Sequence, residues 1–367
     1  MAASNLFIVV VVLIYMVSLN TYRSAAAAAT SATPPPLPKF PAIIVFGDST
    51  VDAGNNNYIK TLAKADMPPY GENFPGHVPT GRFSDGKLVT DIIASMLRIK
   101  DEVPPFLKPN LSENELQTGV CFASAATGYD DLVTKLFNVI PLSEQVEMFK
   151  SYIDKLKGIV GEDKAKNIIG EALVIISTGS NDFLFNFLNI PIRRLEFDSV
   201  GYQRFLLQKL EDFLQKLYEL GCRKMVIAGL PPIGCLPVQM TIKFELQTNR
   251  ECLEDQNDDA QSYNNNLAQL LPQLQAKLPM SKIVYADIYE PLLDMINHPQ
   301  QYGFVETKRG CCGSGLVEVS FMCNPSSPVC SNSSQFLFWD SVHPTQQAYI
   351  YLADYMVNSV LPQLLHV

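Results

Sequence analysis

The stretch Ala42-Ile43-Ile44-Val45-Phe46-Gly47-Asp48-Ser49 decides how this chain folds. Its first five residues are all apolar, and the chain then turns polar at a glycine. A strand with one face in water alternates apolar and polar residues, whereas a strand covered on both faces reads as a continuous apolar run. The run is therefore read as an inner parallel strand with Ser49 at its carboxyl end. Similar runs recur at Ala172 to Ile176, Lys224 to Ala228 and Ile283 to Ala286. Segments with helical spacing lie between them, at Leu88 to Leu97, Leu142 to Leu156, Tyr202 to Leu220 and Tyr263 to Leu278. Strands alternating with helices, without a series of hairpin signals, predict an α/β domain with helices on both faces of a mostly parallel sheet. A last helix is expected from about Thr345 to Leu361, with Pro344 at its first position.

In open sheets of this kind ligands bind beyond the carboxyl ends of the strands. Three segments fall there: Gly47-Asp48-Ser49, Gly179-Ser180-Asn181-Asp182 and Gly229-Leu230-Pro231-Pro232. Proton transfer near neutral pH calls for an imidazole, and the chain has four histidines. His77 sits in a Gly- and Pro-rich loop, His298 precedes a proline at a helix end, and His366 is the penultimate residue. His343 differs, because Trp339-Asp340-Ser341-Val342-His343-Pro344 places a carboxylate three residues before it. A serine hydroxyl becomes a useful nucleophile only when a base takes its proton and a third group holds that base in the right tautomer. Asp340 and His343 supply the last two roles, and Ser49 is the best-placed serine for the first. Asn181 has a side-chain amide to offer a developing oxyanion. Each piece alone also reads blandly: Asp-Ser pairs cap helices, and Asn-Asp pairs make turns. The G-x-S-x-G elbow of α/β-hydrolases, the phosphate-binding glycine loop, H-E-x-x-H and the dinucleotide fingerprint are all missing from the sequence.

The 367 residues are 47% hydrophobic and 18% charged, which suits a globule with a sizeable core. Leu6 to Leu19 is almost wholly apolar and leads to Arg23, the run Ala25 to Ala29 and Pro34-Pro35-Pro36. At about 14 residues it falls short of the roughly 20 that a spanning helix needs. Residues 1–29 are read as a secretory signal peptide, 30–39 as a proline-rich arm and 40–367 as one domain. A retained membrane anchor is the alternative, since no lysine or arginine precedes the apolar run. Removing residues 1–33 takes away Arg23 and no acid, moving the net charge from −9 to −10. That acidity argues against a nucleic-acid partner.

Eight cysteines fit an oxidising compartment. Cys311, Cys312, Cys323 and Cys330 crowd a Gly- and Pro-rich loop and predict two local bridges of undetermined connectivity, with zinc as the rival reading. Cys235 and Cys252 are placed to close another loop, and Cys121 and Cys222 read as buried thiols. Asn110-Leu111-Ser112 and Asn332-Ser333-Ser334 are glycosylation sequons, which suit export.

Six blocks then coincide in one order. They are Phe46 to Asn56 (FGDSTVDAGNN), Pro79 to Gly86 (PTGRFSDG), Gly179 to Asp182 (GSND), Leu230 to Cys235 (LPPIGC), Gly310 to Gly313 (GCCG) and Phe338 to Pro344 (FWDSVHP). Over about residues 40 to 361 the chain resembles the plant GDSL esterase/lipase family of the SGNH hydrolases, in look nearest the extracellular anther and pollen-coat lipases. The resemblance implies a flavodoxin-like three-layer α/β/α sandwich and a catalytic Ser49, Asp340 and His343. It implies oxyanion donors at Ser49, Asn181 and a backbone amide in the second block, with neither metal nor organic cofactor. That block usually reads N-F-A-S-G-G-A-G, and here it is Cys121-Phe122-Ala123-Ser124-Ala125-Ala126-Thr127-Gly128, which places the third donor at Ala125. The expected activity is secreted hydrolysis of carboxylic esters, of lipids or of acetylated wall or coat material, at a cell-wall or pollen surface. Acyl transfer to a wall or cuticle alcohol is one alternative. The alanines in the second block motivate another, a catalytically weak structural protein.

Overall fold

The computed structural model describes residues 38–242 and 250–365. The expected signal peptide, most of the proline-rich arm and His366 lie outside the described residues.

The four apolar runs form the strands β1 (Ile43–Gly47), β2 (Leu173–Ser177), β3 (Lys224–Ala228) and β4 (Lys282–Ala286). They pair in parallel in the order β1-β2-β3-β4. On the free side of β1, Val45 N–H donates to Val120 O at 3.2 Å and Phe122 N–H to Val45 O at 2.7 Å. Counting that short segment second along the chain, the spatial order is 2-1-3-4-5, the flavodoxin-like arrangement.

Alternate side chains of a strand point to opposite faces, so each apolar run feeds two cores. Ile44, Phe46, Val174, Ile176 and Ile227 face one layer of helices. That layer holds α1 (Leu142–Val160), α2 (Glu162–Glu171), α3 (Ser199–Glu219) and α4 (Glu254–Lys277). Ile43, Val45, Ile175, Val226 and Val284 face the other. There lie the helix Val89–Met96 and α5 (Gln346–Tyr355), which continues in tighter and looser turns to Leu364. Phe46 is fully buried among Phe122, Phe149 and Phe213; truncating such a side chain to alanine typically costs about 3–5 kcal/mol.

Helix ends depart from expectation at α5, where Thr345 rather than Pro344 opens the helix. The Thr345 hydroxyl accepts the Ala348 N–H, so Thr345 is the cap and Pro344 precedes it. A second, two-stranded parallel sheet was not foreseen: β5 (Glu306–Gly310) pairs with β6 (Phe336–Phe338) and ends beside Asp340.

Disulfides join Cys311 to Cys330, Cys312 to Cys323 and Cys235 to Cys252. The four cysteines of the Gly-rich loop are thereby spent on each other, which removes the zinc alternative. Cys121 and Cys222 are buried thiols, as expected. With Ala65, Tyr70, Phe83, Ala125 and Trp339, the sulfurs of Cys311, Cys312 and Cys323 make a third small core apart from the two sheet faces. Among the described residues no helix is long and apolar enough to cross a membrane.

Candidate active site

β1 ends against β2, and that close approach sets the first half of the site. Gly47 has φ 138°, and a Cβ there would lie 1.9 Å from Ser177 O, so only glycine lets the chain turn out of the sheet at this point. Gln145 from α1 clamps the turn, accepting from Gly47 N–H at 3.0 Å and donating to Gly47 O at 2.9 Å. Asp48 points inward and accepts from the Thr50 amide at 3.0 Å and the Thr50 hydroxyl at 2.7 Å. Burial pushes its carboxyl up to about 6, against those hydrogen bonds and the field of His343. Ser49 is left at the surface of the crevice, 8% exposed.

The second half comes from the loop between β6 and α5. Asp340 and His343 share that loop, and the turn between them closes through Asp340 Oδ1, which accepts the amides of Val342 at 2.8 Å and His343 at 2.7 Å. His343 Nδ1 lies 2.8 Å from Asp340 Oδ2 and 2.9 Å from Oδ1. An ionised carboxylate only accepts, so Nδ1 carries the proton and Nε2 presents its lone pair. Ser49 Oγ is 2.8 Å from Nε2 and donates to it. Phe83 lies against the imidazole with ring centroids 4.8 Å apart.

Asn181 follows β2 at the point where the chain turns from the sheet into a π-helix, Asp182–Asn189. One proton of its side-chain amide goes to Thr127 O at 2.9 Å, leaving the other for the crevice. Asp182 faces away and accepts the amides of Tyr129 and Asp130, each at 2.9 Å, thereby fixing the end of the second block.

The placement of an oxyanion donor at Ala125 is corrected by the structure. The Ala125 N–H donates to Asp52 Oδ2 at 2.9 Å and is not available. Ser124 to Thr127 form a turn closed by Thr127 N–H to Ser124 O at 3.2 Å, with Ala126 at φ 66°. That is the geometry of a type II turn, whose third residue is usually glycine. The Ala126 N–H makes no hydrogen bond among the described residues, and Ala126 lines the crevice beside Ser49 and His343. Asp52 also accepts from Gly54 and Asn55, while Asn55 Nδ2 holds Cys121 O and Ala123 O. The acidic and amide residues after Ser49 thus tie the first block to the second, a role the sequence reading did not find.

His77 and His298 stand away from this constellation. His77 is exposed and bonded to Glu72 O, and His298 is exposed and paired with Asp294 at 2.7 Å. Asn110 and Asn332 are both exposed. Gly229 and Pro231 line the crevice, and Leu230 is held at both backbone atoms by Asn264.

Two recesses meet at Ser49 and Asn181, with Leu184 and Val342 common to both. One runs inward between the sheet and α5, past Ile175, Leu236, Leu352 and Met356. The other opens outward past Phe137, Phe185, Val319, Phe321 and Met322. They enclose about 930 and 900 Å³, counting space open to solvent at their mouths. No lysine, arginine or glutamate lines either of them.

A serine hydroxyl, an imidazole and a carboxylate joined in that order at the ends of parallel strands is the constellation of an α/β serine hydrolase. The family model for GDSL-like lipase/acylhydrolase matches residues 43–356, and the chain belongs to that family. It is 54% identical over 321 residues to GDSL esterase/lipase At2g30310 of Arabidopsis thaliana, covering 87% of this chain and 89% of that one. With At2g31540 of the same plant it shares 56% over 314 residues, 85% of this chain and 87% of the relative. Identity to At1g06990 is 51% over 328 residues, covering 89% and 90%. The chain is a carboxylic ester hydrolase.

Proposed function

We propose that this protein is an exported serine esterase whose substrates carry an apolar chain on each side of the ester group. Ser49 Oγ attacks the carbonyl carbon as His343 Nε2 takes its proton, and Asp340 steadies the imidazolium that results. The oxyanion of the tetrahedral intermediate is met by the amides of Ser49 and Ala126 and by the free proton of Asn181. His343 returns the proton to the leaving alkoxide, and water, activated by the same imidazole, releases the acid from Ser49. The chain Asp340–His343–Ser49, closed at 2.8 Å at each link, carries this reading.

The two apolar recesses support the substrate class. An acyl chain and an aliphatic alcohol each gain from leaving water there, at about 0.8 kcal/mol per buried methylene. Apart from the His343 imidazole, the lining holds no basic side chain for an ionised substrate. Exposed Leu62, Phe321 and Met322 at the outer mouth extend the apolar surface outward.

Export rests on the leader-like residues 1–29, the following arm at 30–39 and a domain from 40 onward, together with three disulfides and the exposed sequons at Asn110 and Asn332. The wall or pollen surface is the proposed destination.

A p-nitrophenyl ester series from acetate to octanoate, run beside acetylated xylan, tests the substrate reading. The expected kcat/KM rises about fourfold per methylene until the recess is filled, from the same increment of about 0.8 kcal/mol. A preference for acetate, or faster turnover of the acetylated polysaccharide, contradicts it.

A further inference from the structure

Asp340 is held from two sides. The loop's own amides occupy Oδ1, while Oδ2 accepts a hydrogen bond from a residue 270 positions earlier: the Tyr70 hydroxyl, at 2.7 Å. That hydroxyl in turn accepts the Ser320 N–H at 2.8 Å. With an amide donating to it, the phenol's own proton has only Asp340 to go to. Burial, then the charge of Asp340, holds the phenol well above its ordinary value of 10.0, so it remains a donor across the working pH range.

Ser320 belongs to the loop braced by the Cys312–Cys323 disulfide, and its carbonyl accepts the Cys323 N–H at 2.9 Å. Its hydroxyl accepts the Lys64 amide at 2.9 Å and lies 2.7 Å from Leu62 O. The same loop grips the Asp340 segment directly, through Cys312 N–H to Trp339 O and Ser341 N–H to Glu318 O, both 2.8 Å. Tyr70 is 1% exposed, and its ring stands edge-on to Phe83 and Trp339, while Phe83 covers the imidazole. Tyr70 lines neither recess.

We infer that Tyr70 is a positioning residue for the triad acid, transmitting the geometry of the disulfide-braced loop at Ser320 to Asp340 and so to His343. This rests on the reading of Ser49, His343 and Asp340 as the catalytic triad. Both carboxylate oxygens must be fixed if the imidazole is to stay aimed at Ser49, and small misplacements of a catalytic group cost up to about 100-fold. Tyr70 supplies the half of that constraint that the Asp340 loop does not.

Steady-state kinetics of Tyr70→Phe tests the inference. The expected result is a 10- to 100-fold lower kcat, at the order of magnitude of such misplacements, with KM nearly unchanged. The acid limb of the kcat/KM profile should move to higher pH, since a carboxylate relieved of one donor holds the imidazolium more tightly. The other ionisable groups around the pair are Asp48 from the β1 turn and Tyr349 from α5, and this substitution alters neither. A folded Tyr70→Phe enzyme with wild-type kcat and pH profile overturns the inference.

Should that variant not fold, site-specific 3-fluorotyrosine at position 70 keeps the shape and donates more strongly. The acid limb should then move to lower pH, and an unmoved limb counts against the role. Removing the brace with Cys312→Ala and Cys323→Ala should lower kcat in the same direction, and Tyr70→Phe added to it should cost less than on the intact background. Fully additive losses contradict the link to the loop. Ser49→Ala in parallel separates the two levels. If it still turns over, the triad reading fails; if it is dead while Tyr70→Phe is normal, only the Tyr70 inference fails.

Discussion

Ser49, Asn181, Asp340 and His343, the residues of the proposed chemistry, stood out in the sequence because each carries a group that few side chains can offer, and Ser49, His343 and Asp340 lie in one hydrogen-bonded chain. A base needs an imidazole, its orienting acid needs a carboxylate nearby, and Asp340 lies three positions away. Tyr70, Phe83 and Asp52 were not legible, because their duties consist of contacts with residues far away in sequence. Nothing in an isolated tyrosine announces a partner 270 positions on. The second-block donor proposed here, Ala126, differs by one residue from the Ala125 expected from the sequence, for a similar reason. Alanine at 125 and alanine at 126 look alike in sequence and both line the outer recess, and only the turn decides that the Ala125 amide is spent on Asp52 while the Ala126 amide is left unbonded among the described residues. Ala126 sits at φ 66°, where a Cβ costs roughly 1–2 kcal/mol. Ala126→Gly relieves that strain and gives back part of it as unfolded-state entropy, so the expected net gain is about 1 kcal/mol in urea unfolding. A loss of stability would contradict the assigned turn.

Among the elements, the inner strands were readable to within a residue because burial on both faces leaves an unbroken apolar run. Long helices of the two outer layers showed through their spacing. β5 did not, since Glu306-Thr307-Lys308-Arg309-Gly310 is polar and half exposed, and its strand character comes from pairing with β6. The block Pro79 to Gly86 was visible as a motif but silent about its work. Arg82 within it is buried and bidentate to Asp91, at 2.8 Å on each oxygen, and also holds Ala53 O at 3.1 Å and Val103 O at 2.9 Å. Through Ala53 it steadies the segment that follows Ser49. Exposed ion pairs contribute at most about 1 kcal/mol, but removing one partner of a buried pair strands the other charge and costs about 3–5 kcal/mol. Asp91→Ala should therefore lose stability on that larger scale in chemical denaturation. A loss under about 1 kcal/mol, the exposed-pair range, would show that Arg82 finds other compensation.

For the whole molecule, the buried carboxyls set how stability follows pH. Burial pushes Asp48 and Asp52 up to about 6 from an ordinary 3.8, and Asp182 well above that ordinary value. Between about pH 4 and 6 the folded chain therefore binds protons that the unfolded chain has released, and stability falls as pH rises through that window. Asp91 has the opposite sign. Burial opposes its charge, but Arg82 holds it below 3.8, so its contribution is complete above that value and lost as pH falls beneath it. Stability should peak in mildly acid solution, with a higher urea midpoint at pH 5 than at pH 8. Equal or reversed midpoints would mean that the hydrogen bonds at Asp48 and Asp52 outweigh their burial. The proposed chemistry rests on one serine, Ser49, hydrogen-bonded to an imidazole 294 residues away. Mass spectrometry of the protein after treatment with a fluorophosphonate tests it most directly, with ester hydrolysis followed in the same sample. The account predicts one adduct, on the peptide carrying Ser49, with hydrolysis lost in step and neither event in Ser49→Ala. Hydrolysis that survives full modification of Ser49, or an adduct on another serine that abolishes it, would contradict the account.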